Sequence, residues 1–260
     1  MARELLDLLW RDHPAAPRAG SRGPRSRVTT SQVVDAAVAL ADAEGVGAVT
    51  VRRLAARLGV APNAVYSHVG ARDDLLVLMV DAVHARQHRA AHPDTGWRAR
   101  VTAVAEADLA TYGRHPWLLD VDDQRTAFGP GTVAAYDHRL HAFDGTGLDD
   151  LDRDAAAAFV ADFVRASARA RRTDPPAGAT AAVWARWADR LATYVGDRYA
   201  LARRVGAVAG EAMAGPASAE HAWRFGLARV LDALDALVGA ADDRPDRPGP
   251  DRAGEGVSPI

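Results

Sequence analysis

Apolar residues recur at helical spacing along most of the chain. In the segment SQVVDAAVALADAEG they fall at Val33, Ala36, Ala37, Leu40 and Ala41, one side of a helix that Gly45 ends. No strong alternation of apolar and polar residues predicts a strand, so the pattern indicates an all-α protein. Further helices are predicted over residues 72–91, 97–113, 116–123, 131–143, 148–172, 179–209 and 218–239.

The two ends of the chain have a different pattern. Residues 3–11 could form one or two amphipathic turns, but residues 13–27 are rich in Pro, Gly, Ser and Arg and have no apolar period. Residues 241–260 are rich in proline and charge and offer little to bury, which predicts disorder. Between these ends, the chain divides into a small N-terminal helical unit and a larger C-terminal bundle.

One helix is interrupted in the segment TVRRLAARLGVAPNAVYSHVGARDDLL, residues 50–76. Thr50 is a candidate N-cap, Gly59 occupies the position where a glycine ends a helix, and Pro62 suits the first turn of the next one. Two helices joined by such a short turn form a helix-turn-helix, which places its second helix in the major groove of DNA. The alternative is a helical hairpin that binds no DNA.

Composition and charge narrow the class of protein. The 260 residues carry a formal net charge of −2, yet residues 18–72 are net positive, the footprint expected of a local DNA-binding face. The absence of cysteine excludes disulfides, cysteine-ligated zinc and a thiol nucleophile. We find no secretion signal and no apolar run of membrane-spanning length, and we expect a soluble, cytoplasmic protein without a membrane partner. No paired-carboxylate, phosphate-loop or nucleophile motif favours a helical enzyme, and no cofactor is predicted.

The side chains on the interrupted helices suit contacts with double-stranded DNA. Thr50 could bind a phosphate, and Arg52 or Arg53 a phosphate or a guanine edge. Asn63 pairs most naturally with adenine, while Tyr66 could bind a phosphate or only pack its ring. The complete set of candidate DNA-binding residues is Arg27, Thr29, Thr50, Arg52, Arg53, Ala61, Pro62, Asn63, Ala64, Tyr66, Ser67, His68 and Arg72.

These motifs resemble the DNA-binding signature of the TetR family of transcriptional regulators. The shared features are Thr50, the L-A-x-x-L-G-V run over residues 54–60, Tyr66-x-His68, Arg72 and the leucine pair at residues 75–76. The resemblance is specific over residues 29–80. It implies a homodimer that binds a palindromic operator through an N-terminal three-helix domain, and a C-terminal bundle that binds a small molecule and dimerises.

Composition and the resemblance together divide the chain into four parts, and the N-terminal arm is a departure from the family, many of whose members begin close to the first helix. Residues 1–28 are a flexible basic arm with a short N-terminal helix, 29–75 the helix-turn-helix domain, 76–240 the ligand-binding and dimerisation domain, and 241–260 a disordered tail. A ligand-released repressor is the leading hypothesis. An activator and a ligand-independent DNA-binding protein of the same fold are the alternatives. The arginines of residues 18–27 could reach DNA or belong to a solvated linker.

Histidines and aromatic residues of the C-terminal part are candidates for the ligand site. His84, His88 and His92 recur every four residues, a spacing that could hold a metal, but Pro93 and the lack of an acid among them favour a lining or exposed role. The resemblance places His88 at the pocket. The candidate ligand-binding residues are His88, Tyr112, His115, Trp117, Phe128, Tyr136, Trp184 and Trp187.

Two amphipathic segments, residues 155–170 and 219–238, are candidates for the dimer interface. The family resemblance implies a four-helix bundle between subunits, whereas the alternative is packing within one chain. The candidate interface residues are Phe159, Phe163, Trp223, Leu227, Leu231 and Leu234.

Overall fold

The computed structural model describes residues 4–17, 28–92, 96–173, 179–213 and 218–242. Within these ranges the α-helices and 3₁₀ turns contain all the regular structure, which confirms the all-α prediction. The α-helices are α1 Leu5–Leu9, α2 Thr30–Glu44, α3 Val51–Leu58, α4 Pro62–Val69, α5 Arg72–Arg86, α6 Trp97–Arg114, α7 Pro130–His141, α8 Asp150–Thr173, α9 Ala179–Val195, α10 Ala200–Met213 and α11 Ala219–Asp242.

Side-chain caps fix where the first helices begin. The Thr29 hydroxyl accepts a hydrogen bond from the Gln32 N–H (3.2 Å), and the Gln32 amide oxygen accepts one from the Thr29 N–H (2.8 Å). This reciprocal pair is a capping box, so Thr29 is the cap of α2. The Thr50 hydroxyl accepts from the Arg53 N–H (3.3 Å) and caps α3 in the same manner.

The first hydrophobic core is formed by α1 to α5. Val33 of α2, Leu54 of α3 and Val65 of α4 are fully buried, and Leu75 of α5 is almost so. Each of these residues lies on the apolar side of its helix. The three helices α2, α3 and α4 therefore form one compact unit, and the first turn of α5 belongs to its core.

Helix α5 differs from its neighbours because it is buried on nearly every side. Its buried residues include Val77, Leu78, Met79 and Val83, which cannot share one face of a helix. It contacts α1, α2 and α4 of the N-terminal unit and α7 of the C-terminal bundle. It ends at Arg86, earlier than the predicted residue 91, because Gln87 adopts an extended conformation. Helix α5 thus connects the small N-terminal unit to the larger bundle.

The second hydrophobic core lies between α6, α8 and α11. Ala156 and Ala157 of α8 are buried beside Val160, and small side chains of this kind let neighbouring helices approach closely. The Phe163 ring stacks on Trp223 of α11, with ring centroids 5.4 Å apart. In the described part of the chain, each helix is too short or too polar to cross a membrane.

Two predicted helices have different structures. Residues 179–209 form two helices rather than one, because Gly196 turns the chain with a φ of 51° that disfavours other residues. Residues 116–123 contain only a 3₁₀ turn, Pro116–Asp120, and a second 3₁₀ turn that was not predicted follows at Gln124–Phe128. The other predicted helices are present with small shifts at their ends.

Helix α1 lies against both the N-terminal unit and the C-terminal bundle. Leu8 and Leu9 are buried in the first core. The Trp10 indole donates a hydrogen bond to the Phe128 carbonyl (2.8 Å), and Arg11 donates one to the Ser31 hydroxyl (3.1 Å). The arginine arm that follows, residues 18–27, and residues 243–260 of the tail lie outside the described residues, as does the candidate Arg27.

Candidate DNA-binding surface and ligand cavity

A glycine turn sets the angle between α3 and α4. Gly59 has a left-handed conformation (φ 65°, ψ 35°), and the Val60 N–H donates to the Ala55 carbonyl (3.0 Å). This arrangement satisfies the last carbonyls of α3, and glycine is the residue that adopts it at least cost. Pro62 then occupies the first position of α4, where its missing N–H leaves no bond unmade.

Helix α4 has one buried face and one exposed face. Val65 and Val69 anchor it in the first core. Tyr66 is 53% exposed, and Asn63 and Ser67 are also exposed. Ala61 and Pro62 are exposed at the start of the helix, whereas Ala64 is partly buried. The predicted base-contacting residues therefore share an accessible surface, while the Ser67 hydroxyl is already engaged with the Ala64 carbonyl (2.7 Å).

The C-terminal end of α4 is tied to the first turn of α2. The Thr30 hydroxyl donates to the His68 carbonyl (3.2 Å) and lies 3.4 Å from His68 Nδ1. Thr30 itself is buried. The position of His68 is therefore fixed by α2, and Thr30 is a positioning residue that the sequence did not reveal.

The arginines of α3 and α5 have different surroundings. Arg52 is exposed on α3. Arg53 forms an ion pair with Glu44 of α2 (2.6 Å), and this hydrogen bond lowers the pKa of the Glu44 carboxyl. Arg72 donates from Nε to the Val49 carbonyl (3.2 Å) and from Nη2 to the Val46 carbonyl (3.1 Å). These two bonds hold the turn before α3, and the assignment of Arg72 as a phosphate contact stays a prediction.

A cavity of about 230 Å³ lies between α5, α6, α7 and α8. Val80 and His84 of α5 line it, together with Tyr112 of α6, Tyr136 of α7 and Ala157 of α8. We call it the central cavity. Two of the predicted ligand-binding residues, Tyr112 and Tyr136, therefore face the same space beside the helix that enters the DNA-binding unit.

Polar groups in the wall of the central cavity could orient a ligand. The Thr132 hydroxyl oxygen is buried, and it makes no hydrogen bond to any described residue. Burial, together with the nearby positive charge of Arg139, lowers the pKa of His84 to about 4, so this ring is neutral at physiological pH. The Tyr136 hydroxyl donates to Asp154 (2.7 Å). The wall thus combines aromatic faces with a few polar atoms, as ligand sites usually do.

His115 and Trp117 do not line this cavity, and their assignment as ligand-binding residues stays a prediction. Both side chains contact the same carboxylate oxygen of Asp42 on α2, His115 Nδ1 at 2.7 Å and Trp117 Nε1 at 2.7 Å. Trp117 is 2% exposed and belongs to the first core. The 3₁₀ turn after α6 brings them to α2, and the two residues join the C-terminal bundle to the DNA-binding unit.

The remaining ligand candidates are dispersed over the molecule. Phe128 is an exposed residue on a 3₁₀ turn, and Trp187 is exposed on α9. Trp184 packs against Gly210 of α10 and lines a surface groove between those two helices. His88 lines a smaller cavity beyond the end of α5. These four residues do not line the central cavity with Tyr112 and Tyr136. Trp184 and Trp187 lie on α9, which forms a hairpin with α10 around the break at Gly196.

The histidine series at residues 84, 88 and 92 does not lie on one helical face, because α5 ends at Arg86. The His92 ring instead stacks on His138 of α7, with ring centroids 4.2 Å apart. Among the described residues, no group of three His, Cys, Asp or Glu side chains is placed to hold a metal ion.

Sequence reasoning missed the buried carboxylate that connects α5 to α7. Asp81 Oδ1 accepts hydrogen bonds from the Gly131 N–H (2.7 Å) and the Thr132 N–H (3.0 Å) at the start of α7. A side chain at Gly129 or Gly131 would collide with α5, so the two helices approach closely only with glycine there. A lone acid within the apolar run LLVLMVDAVH was the signal that could have found it.

The predicted interface residues of α11 are buried within their own chain. Trp223, Leu227, Leu231 and Leu234 are 5–8% exposed and belong to the second core. Phe163 is partly buried against that core, and only Phe159, at 49%, is exposed. Packing within the chain therefore accounts for these α11 residues, because their apolar stripe faces α8 rather than solvent.

Comparison with known proteins supports this arrangement over most of the chain. Residues 33–79 match the N-terminal domain of bacterial regulatory proteins of the tetR family, and residues 90–238 match the tetracyclin repressor-like C-terminal domain. The HTH-type transcriptional repressor DrrR1 of Streptomyces coeruleorubidus is 36% identical over 240 residues, which cover 90% of this chain and 85% of that protein.

Solved structures show the same fold. Apo ActR from Streptomyces coelicolor is 25% identical with a TM-score of 0.69, covering 84% of this chain and 100% of ActR. ActR in complex with (S)-DNPA is 23% identical with a TM-score of 0.66, covering 81% and 98%. BioQ with its double-stranded DNA operator is 21% identical with a TM-score of 0.54, covering 81% and 99%. This chain therefore belongs to the TetR family, whose members are ligand-responsive, DNA-binding regulators of transcription.

Proposed function

We propose that the protein is a cytoplasmic homodimeric repressor that binds a palindromic operator and leaves it when a small molecule enters the central cavity. The observation that carries this proposal is the path of α5. Its first turn is buried in the core of the DNA-binding unit through Leu75, and its last turns line the central cavity through Val80 and His84. We infer that the protein acts by binding alone, without catalysis.

Operator contacts are assigned to the exposed side of α4 and the start of α3. Asn63 and Tyr66 are accessible on α4, and Arg52 is accessible on α3 with no ion pair to any described residue. Arginine and asparagine read guanine and adenine edges, while tyrosine binds phosphate oxygens. That BioQ is known in complex with its operator supports this use of the fold.

Replacing Arg52 with alanine is expected to weaken operator binding by roughly 1–3 kcal/mol, the range for one good base contact. If Arg52 instead binds a phosphate, the loss will be uniform across sequences and the salt dependence of binding will become shallower. The operator is first selected from random DNA, and affinity is then titrated at several salt concentrations. Tyr66→Phe tests the phosphate contact separately.

The control for this experiment is Arg190→Ala, which removes an exposed arginine from α9, far from α3 in the chain. It should leave operator affinity unchanged. If Arg52→Ala and Tyr66→Phe bind the selected operator as tightly as the unaltered protein, the assignment of this surface is wrong.

The ligand is assigned to the central cavity because a molecule there touches α5 directly. Widening the cavity would tilt α5 and change the distance between the two α4 helices of a dimer, which must match one DNA turn of roughly 34 Å. A ligand weakens DNA binding only to the extent that it binds more tightly to the conformation that DNA disfavours. The coupling free energy between two such sites is typically ~1–3 kcal/mol. That ActR is known in complex with (S)-DNPA supports small-molecule binding by a protein of this fold. The switch is tested by measuring operator affinity with and without a ligand found by screening. If the protein is an activator instead, the ligand will change transcription in the opposite direction.

The dimer interface is assigned to the outer face of α8 and α11. Phe159 and Phe225 are 49% and 59% exposed on these helices, and large exposed apolar side chains on two packed helices mark a contact surface. The apolar residues Leu201, Val205 and Val208 of α10 are also exposed. A homodimer would cover the α8–α11 face with its own symmetric copy.

Replacing Phe225 with aspartate is expected to separate the dimer, because a carboxylate buried between two apolar surfaces loses its hydration. The nearby Arg229 guanidinium, 5.4 Å from the Phe225 ring centroid, is already paired with Asp232. Light scattering at micromolar concentration should give about twice the 27.5 kDa chain mass for the unaltered protein and a single chain mass for the variant. Phe128→Asp is the matched control, since Phe128 is equally exposed (60%) but lies on a 3₁₀ turn away from this face. A dimer that survives Phe225→Asp contradicts the assignment.

A further inference from the structure

A smaller cavity of about 140 Å³ lies beside the central cavity, between the chain that follows α5, α6 and α7. We call it the side cavity. Arg139 of α7 lines both cavities, so a molecule in one lies next to the guanidinium that borders the other. The charged and histidine residues around the side cavity are His88, Arg89, His92, Asp108, His138 and Arg139.

The fixed charges around the side cavity are not balanced. Arg139 Nη1 lies 3.3 Å from Asp108 Oδ2, and both side chains are largely buried, at 19% and 14% exposed. Asp108 also accepts a hydrogen bond from the Gln87 amide (3.0 Å). The Arg89 guanidinium donates to two neutral acceptors, the carbonyls of His84 (2.5 Å) and Gly131 (3.3 Å). Two guanidinium groups therefore line this cavity, and only that of Arg139 is paired with its carboxylate, Asp108.

The cationic groups around this cavity disfavour one another's charge. Burial and the charge of Arg139 lower the pKa of the Arg89 guanidinium. Burial lowers the pKa of the His138 ring, and the nearby charges of His92 and Arg89 lower it further. Charges of one sign repel strongly where water is scarce, so a negative group placed among them would be favoured.

We propose that the side cavity binds the carboxylate of an aromatic carboxylic acid whose ring lies in the central cavity. Arginine is the side chain best shaped to hold a carboxylate, through two parallel hydrogen bonds, and Arg139 lines both cavities. The aromatic walls of Tyr112 and Tyr136 suit the ring. This inference deepens the proposed ligand-binding function and rests on it.

The test compares two probes of nearly equal shape, 2-naphthoate and 2-naphthamide, which differ in charge. Calorimetric titration of the full-length protein is expected to show 2-naphthoate binding about tenfold more tightly, because only the anion gains from the guanidinium groups. Arg139→Gln should remove that preference by weakening 2-naphthoate about tenfold. Asp108→Asn should act in the opposite direction and strengthen 2-naphthoate, because it removes the competing carboxylate.

The 2-naphthamide titrations report any general damage to the cavity, and Arg98→Gln, which alters an arginine of α6 paired with Asp232, is the matched control. Equal affinity of the two probes for the unaltered protein would overturn the carboxylate site and leave the central cavity standing. Variants that shift both probes equally would also overturn it, because only a structural effect acts on both. If neither probe binds, the cavity assignment is overturned together with the side cavity, and operator binding, measured separately, would be unaffected.

Discussion

Replacing Asp81 with alanine is expected to lower the free energy of unfolding by about 3 kcal/mol. The substitution leaves the N–H groups of Gly131 and Thr132 without acceptors in a buried place, and each such loss costs ~1–3 kcal/mol. The removal of a carboxylate whose burial is itself unfavourable offsets part of that loss, since burial raises the pKa of Asp81. Denaturation in urea at pH 7, followed by circular dichroism, measures the change.

Two further variants show whether the hydrogen bonds that Asp81 accepts from α7 are the cause of this loss of stability. Asp81→Asn keeps an oxygen that can accept both hydrogen bonds, so its loss should be about 1 kcal/mol or less. Asp35→Ala removes an exposed aspartate that is paired with Arg86, and should cost about 0.5 kcal/mol. If Asp81→Asn is as destabilising as Asp81→Ala, then the negative charge matters and the hydrogen bonds to α7 do not.

The second large effect is a loss of stability in acid that depends on His84. Its pKa of about 4 in the folded protein lies below the ordinary value of 6.5, so the unfolded chain takes up the proton first as the pH falls. The stabilisation is complete above pH 6.5 and is lost as the pH falls towards 4. The expected loss is about 2 kcal/mol by pH 5 and about 3 kcal/mol by pH 4.

The matched variant is His84→Gln, which keeps a polar side chain of similar size and cannot take up a proton. Urea denaturation of both proteins at pH 7, 6, 5 and 4 separates this residue from the carboxylates that also titrate in this range. The difference in stability between the two should change across the window by the amounts given above. A constant difference would show that the pKa of His84 is the same in the folded and unfolded protein, as expected for a ring that is exposed to water.

The DNA-binding unit was predictable because its signals are local. Gly59 and Pro62 determine the turn through backbone chemistry that neighbouring residues cannot override. Val65 and Tyr66 follow the helical period, so the buried and exposed faces of α4 follow from the sequence. The family resemblance, which rests on the same residues, is confirmed by the matches to both domains.

The C-terminal site was less predictable because it depends on contacts between distant segments. Trp117 and Tyr112 are both aromatic and close in sequence, yet a 3₁₀ turn sends Trp117 to Asp42 of α2 while Tyr112 faces the central cavity. The same difficulty applies to α11. The sequence pattern of an apolar stripe such as that of Leu227 and Leu231 is the same whether the stripe packs on α8 or on a second subunit.

The docked position of α1 has a consequence for the order of events during synthesis. The hydrogen bond from the Trp10 indole to the Phe128 carbonyl joins residues 118 positions apart. At ~5–20 residues per second, the ribosome needs roughly 6–24 s to make the chain between them. Trp10 of the nascent chain therefore emerges first but cannot complete its docking until residues of the C-terminal bundle have left the exit tunnel. During that interval this apolar turn is a natural binding site for a chaperone that recognises short apolar segments.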